Sequence, residues 1–148
     1  KYIHAVYDLA KEKGYIQDAT FAGMKHRMEQ ENMQRSEKVA RGEAVYGLKE
    51  YTLDLYQEYE LSMIEEAYIL DETNEGMGLT EEEIEAYYNT RDWIVGEDAR
   101  KADLSEARAA VIDEMRRNRY QELTEQKAAV AEVDGDMDQL SQFTLKQL

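Results

Sequence analysis

Proline is missing from all 148 residues, and glycine occurs only eight times. Proline is the residue that most reliably stops or kinks a helix, because it lacks the amide donor and its ring meets a carbonyl of the preceding turn. Without it, long uninterrupted helices are allowed, and a sequence rich in Glu, Ala, Lys, Gln and Leu favours them. The expected fold is all-α, mostly helical, with about five helices and at most one short C-terminal strand.

A chain of 17.3 kDa has the length for one domain with a hydrophobic core. Against 18 basic residues stand 33 acidic ones, a net charge of -15. Phosphate neutralisation needs concentrated Lys and Arg, so no nucleic-acid partner is expected; an anionic membrane surface is disfavoured for the same reason. The cysteine count is zero, which removes disulfides, zinc thiolates and a Cys nucleophile. There is no apolar run of roughly eighteen residues to suggest a membrane span, and no signal-peptide pattern. Lys1 in place of an initiator methionine fits a mature fragment.

Periodicity places the helices. Tyr2 to Lys13 carries Ile3, Val6, Tyr7, Leu9 and Ala10 at helical spacing and stops at Gly14. Asp18 is the expected N-cap of a second helix, in which Phe21, Met24, Met28, Asn32, Arg35 and Val39 share one face. That helix should end near Ala40, before a short extended piece bracketed by Gly42 and Gly47. If the face is buried, Asn32 and Arg35 need partners, Arg35 a carboxylate or backbone carbonyls. Both are expected to form a structural polar network that anchors the Arg41 to Gly47 loop.

A third helix is capped by Thr52, with Tyr51 and Tyr56 as a hydrophobic staple and a face of Tyr56, Tyr59 or Glu60, Met63, Ala67 and Leu70. The clearest local signal is Leu79-Thr80-Glu81-Glu82-Glu83-Ile84, where Thr80 and Glu83 have capping-box spacing and Leu79 and Ile84 the spacing of a staple. This helix runs to about Arg91 and is followed by a polar connector holding Trp93, Ile94 and Val95. A last long helix starts near Asp103 or Ser105 and runs to about Lys127, with Val111, Ile112, Met115, Tyr120 and Leu123 as its apolar positions. Ala129 to Val133 alternates with period two and reads as a short strand. Residues 1–133 are read as one helical domain and 134–148 as an acidic, mobile tail whose Leu140, Phe143, Leu145 and Leu148 could dock.

Catalytic motifs are lacking. No Ser or Thr stands in a glycine-flanked elbow, no phosphate-binding glycine loop occurs, and Glu-x-x-His pairs for a di-iron centre are missing. Asp71 to Glu82 can be laid on an EF-hand loop, which makes weak calcium binding a third function reading. The fit is poor, because Gly78 takes a position that is normally a branched aliphatic. No metal or other cofactor is expected.

Seven Met and eleven Tyr stand against only two Phe and one Trp. Most belong in a core, yet thioethers repack and tyrosine couples a ring to a hydroxyl, which suits a surface for varied apolar segments. Met24, Met28, Tyr51, Tyr56 and Tyr59 are the candidate client-binding residues.

Read in order, these pieces resemble the N-terminal chaperone-like region of the SurA and PrsA family of exported foldases. The resemblance runs from Ala10-Lys11-Glu12-Lys13-Gly14-Tyr15-Ile16 through Phe21, Glu31-Asn32-Met33-Gln34-Arg35, Gly42 to Leu48 and Leu79 to Tyr88, then Ser105 to Gln126 and Ala129 to Val133. Between Arg91 and Asp103, where such proteins insert a parvulin-type prolyl isomerase domain, only a short connector stands. The resemblance implies an ATP-independent chaperone domain without isomerase catalysis, binding unfolded or extended polypeptide clients. It also implies an extracytoplasmic location in a Gram-positive bacterium, secreted or at the cell surface, with a lipid anchor upstream of Lys1 as one arrangement. The alternative is a structural or adaptor domain for one specific protein partner.

Overall fold

The computed structural model describes residues 2–133. The regular elements among them are five α-helices and one small antiparallel hairpin: α1 (Tyr2–Glu12), α2 (Phe21–Ala40), α3 (Leu53–Leu70), α4 (Glu81–Tyr88), β1 (Ile94–Val95), β2 (Arg100–Lys101) and α5 (Leu104–Val133). The mostly helical fold follows the proline-free sequence. Two compact units divide the chain, one made of the segment through Ile64 with the C-terminal part from Thr124, the other Glu65–Leu123.

In the first unit the ends of α1 and α2 are set by glycine. Gly14 has φ +78° and Gly42 φ +73°, a region closed to most side chains. At α1 the Tyr15 amide donates to Ala10 O and that of Gly14 to Lys11 O; at α2 the Glu43 amide donates to Lys38 O and that of Gly42 to Val39 O. Both are Schellman motifs, which satisfy the last helical carbonyls. The cap of α2 is Thr20, not Asp18: the Thr20 hydroxyl accepts from the Gly23 amide. Asp18 lies two residues earlier and braces the cap, accepting from the Thr20 amide (2.9 Å) and hydroxyl (2.6 Å). Val6, Tyr7 and Ala10 of α1 pack with Ile16, with Met24 of α2 and with Tyr56 and Ile64 of α3. The Lys127 ammonium on α5 meets Glu12 at 2.7 Å.

On α3 the expected face is corrected. Met63, Ala67 and Leu70 are exposed, whereas Tyr56, Glu60, Ile64 and Tyr68, each one turn apart, are buried. Apolar residues occur all round this helix, so periodicity alone cannot choose the inward row. The expected strand Ala129 to Val133 is also corrected, because it forms the last turns of α5. Its period-two pattern is accidental: Thr124 and Ala128 are buried and Ala131 half-buried, a helical spacing, and alanine is the best helix former. The expected tail, with Leu140, Phe143, Leu145 and Leu148, lies outside the described residues.

In the second unit Thr80 and Glu83 close the capping box at the start of α4. Ile84 packs with Trp93, Ala102, Ala107, Val111 and Met115, and Leu79 covers them. The stretch read as a polar connector is the hairpin, with Ile94 opposite Lys101 and Val95 opposite Arg100. It turns through Gly96 and through Ala99 at φ 51°. Trp93 is buried and its indole N–H donates to Tyr88 O (3.1 Å), while the Tyr88 hydroxyl donates to Ala102 O (2.6 Å). Asp103 and Glu106 then form a second reciprocal cap at the start of α5.

Candidate functional site

The face of α2 in the first unit carries two polar assemblies. Nearer the N-terminus, Arg27 Nε and Nη2 fork onto the two carboxylate oxygens of Glu60, at 2.6 and 2.9 Å, while Nη1 reaches Asp18 O at 2.7 Å. The Tyr56 hydroxyl donates to the same carboxylate at 3.0 Å. Desolvation opposes the Arg27 charge, yet the Glu60 carboxylate that holds it raises its pKa. Burial pushes the Tyr56 and Tyr7 phenols up, and the negative charge of Glu60 adds to this. The assembly is a charge-neutral strut between α2 and α3, since buried ions persist only when paired and hydrogen-bonded.

One and two turns further on, Asn32 and Arg35 hold the chain between α2 and α3. Asn32 forms a two-way bond with the Tyr51 backbone, its amide donating to Tyr51 O (3.0 Å) and its carbonyl accepting from Tyr51 N (2.7 Å). Arg35 Nη1 donates to Tyr46 O (2.7 Å) and Leu48 O (2.6 Å), and Nε pairs with Glu31 (2.9 Å). Its guanidinium lies 4.9 Å from the Tyr51 ring centroid. One arginine thus joins a helix, a loop and an aromatic ring.

Of the five candidate client-binding residues, Met24 is fully buried and Tyr56 is 6% exposed. Both are core residues, because α1 closes over them through Tyr7 and Ala10. Met28, Tyr51 and Tyr59 pack against the same core and are half-buried. The three tyrosines form one cluster, with centroids 5.6 Å apart for Tyr51 and Tyr56, 5.2 Å for Tyr51 and Tyr59 and 5.9 Å for Tyr56 and Tyr59. Such edge and tilted contacts stiffen a wall more than they open a cradle.

Exposed apolar side chains in this unit include Tyr2, Leu55, Met63 and Val130 and, on the Arg35 loop and the helix before it, a group of four. Tyr46 is 88% exposed, Met33 58%, and Val39 and Leu48 are also open. Met33, Val39 and Lys49 line a shallow groove with Asn32, Ser36 and Glu50. Val39, expected on the inward face, is thus exposed, and Met33, next to Asn32 on the same helix, is exposed with it.

The Asp71 to Glu82 loop does not form a cation cage. Asp71 accepts from the Thr73 amide and hydroxyl, Glu72 pairs with Arg116 at 3.3 Å, and Glu82 is exposed on the first turn of α4. Among the described residues no three His, Asp or Glu side chains are grouped to hold a metal. No helix among them is long and apolar enough to cross a membrane.

No family model matches the chain. A chaperone for lacto-N-biosidase from Bifidobacterium longum subsp. longum is 37% identical over 146 residues, which is 98% of this chain and 52% of that protein. The chain therefore spans about half the length of this curated relative. Crystal structures of GH136 lacto-N-biosidase from Eubacterium ramulus superpose with TM-scores of 0.73 for the selenomethionine derivative and 0.70 for the native protein. Their identities are 18% and 20%, and the match covers 86% of this chain and 27% of those, which establishes a shared fold.

These similarities correct the resemblance to the SurA and PrsA foldases, and with it the place given to the chain among relatives of peptidyl-prolyl isomerases. Most motifs behind that resemblance are capped, glutamate-rich helices or glycine-terminated ones, and the one read as a terminal strand, Ala129 to Val133, is helical. Their physics is that of helix ends in general, so their order does not discriminate between all-α families. The stretch read as the gap left by an isomerase is occupied by the Trp93 hairpin, part of the second unit's own core.

Proposed function

We propose that this chain is a dedicated chaperone for one glycoside hydrolase of the lacto-N-biosidase kind, a non-catalytic protein that binds its client and assists its folding. The observation that carries this reading is the 37% identity to the lacto-N-biosidase chaperone, sustained over nearly the whole of this chain. The geometry agrees with it. A binder of many clients needs a deformable apolar cradle, whereas here the methionine and tyrosine face is largely taken up by the core and by a fixed aromatic cluster. A small exposed apolar patch held by directional bonds suits one partner better.

The test is to refold urea-denatured lacto-N-biosidase of Bifidobacterium longum with and without an equimolar amount of this chain. A several-fold gain in recovered hydrolase activity is expected, with little protection of unrelated unfolded proteins from aggregation. Equal recovery with and without the chain would sink the proposal, and equal protection of every protein would return the function to a general chaperone.

A further inference from the structure

We infer that the loop from Glu43 to Glu50, with the adjoining C-terminal half of α2, is the docking surface for an extended, apolar segment of the client hydrolase that carries a carboxylate. The inference rests on the proposed function and names the surface that would serve it.

Four observations converge on this loop. The amides of Ala44 through Glu50 meet no protein acceptor among the described residues, while two of the loop's carbonyls, Tyr46 O and Leu48 O, are taken by Arg35. The surface left to a partner is therefore rich in main-chain donors, which a segment with free carbonyls can use and a helix, whose carbonyls are already bonded, cannot. Apolar Met33, Val39, Tyr46 and Leu48 stand open beside these donors.

The loop is also held. Arg35 and Asn32 fix it at Tyr46, Leu48 and Tyr51, so ordering it costs little when a partner arrives. Charge then selects the occupant. Arg35 is paired with Glu31 and Arg41 with Glu43, which leaves Lys38 and Lys49 beside Glu37 and Glu50, a near-neutral stretch in a chain with 18 basic against 33 acidic residues. Lys49 lines the groove and makes no ion pair among the described residues. A carboxylate on the incoming segment would meet the Lys49 ammonium there, whereas the acidic remainder of the surface would repel it.

The experiment is amide hydrogen exchange on the full chain, alone and after co-refolding with lacto-N-biosidase of Bifidobacterium longum, read beside the binding of three variants. In the complex the amides of Ala44 to Glu50 should exchange at least tenfold more slowly. Tyr46→Ser combined with Leu48→Ser should weaken binding about tenfold or more with the melting temperature unchanged, and Lys49→Glu should weaken it too. Met63→Ser, which removes an exposed apolar side chain outside the patch, should bind as the parent does. A complex in which these amides stay unprotected and the variants bind normally overturns the surface and leaves the chaperone reading standing. Failure to form any complex overturns both. Protection that appears without hydrolase and grows with the chain's own concentration would assign the patch to a second copy and overturn the inference.

Discussion

Arg27 and Glu60, thirty-three residues apart in sequence, are joined by two parallel N–H to O bonds of 2.6 and 2.9 Å, with the Glu60 side chain only 8% exposed. A bidentate pair of this kind fixes both the distance and the rotation between the two helices that carry it.

Removing either member strands the other. Glu60→Leu or Arg27→Met should each cost about 3–5 kcal/mol in urea unfolding, because an unpaired buried charge remains. The double variant should be more stable than at least one of the single ones, since no charge is then left alone. Strictly additive losses would show that the pair is solvated rather than buried.

Gly23→Ala should destabilise although alanine is the better helix former by about 1 kcal/mol. A Cβ there would lie 2.6 Å from Asp18 Cγ and 2.7 Å from Asp18 O, so the Asp18–Thr20 brace must shift. A lowered melting temperature is expected, with loss on the order of 1–3 kcal/mol. A stabilised variant would mean that the brace yields freely.

Stability should fall at both ends of the pH scale. Asp18, held low by hydrogen bonds from Thr20, and Glu114, held low first by Arg91 and then by Tyr87, have folded pKa values below the ordinary 3.8 and 4.5. Their contribution is present above those ordinary values and is lost as pH falls through the folded ones. Tyr7 and Tyr56 are raised above 10.0 by burial first and by Glu60 second. The unfolded phenols ionise first, so the stability that depends on their neutral form declines as pH rises past 10.0. Urea midpoints across this range should trace a plateau with two falling limbs, and Tyr56→Phe should make the alkaline limb shallower, Tyr7 sustaining the rest, with the acid limb unchanged.

Asn32→Ala leaves both the N–H and the C=O of Tyr51 without their side-chain partner, at a cost of about 1–3 kcal/mol. The exchange rate of the Tyr51 amide reports it directly and should rise. Asn32→Asp keeps the acceptor and should preserve most of that protection while losing the bond to Tyr51 O.

What could be read in the sequence was what is local. The Thr80 and Glu83 box and the glycine stops at Gly14 and Gly42 each depend on a handful of consecutive residues, and all are found. The Trp93 hairpin escaped because two-residue strands have no periodicity to display. Arg27 escaped because its role depends on Glu60, and sequence gives no distance between α2 and α3. On α3 and at Ala129 to Val133 a real pattern was assigned to the wrong geometry, which only packing could decide. The foldase resemblance breaks down for a different reason: the capped helices at its centre are present, but such helix ends are shared by many helical proteins.

Trp93 is the sole tryptophan of the chain; it is buried in the core of the second unit, with the Arg91 guanidinium 3.7 Å from its ring centroid. The tyrosine cluster belongs wholly to the first unit. Seven of the eleven tyrosines lie in the first unit and four in the second, so indole emission reports the second unit alone while phenol absorbance reports both, weighted toward the first. Melting curves recorded at the two wavelengths would coincide if the chain unfolds as one cooperative body and part company if each half has its own transition.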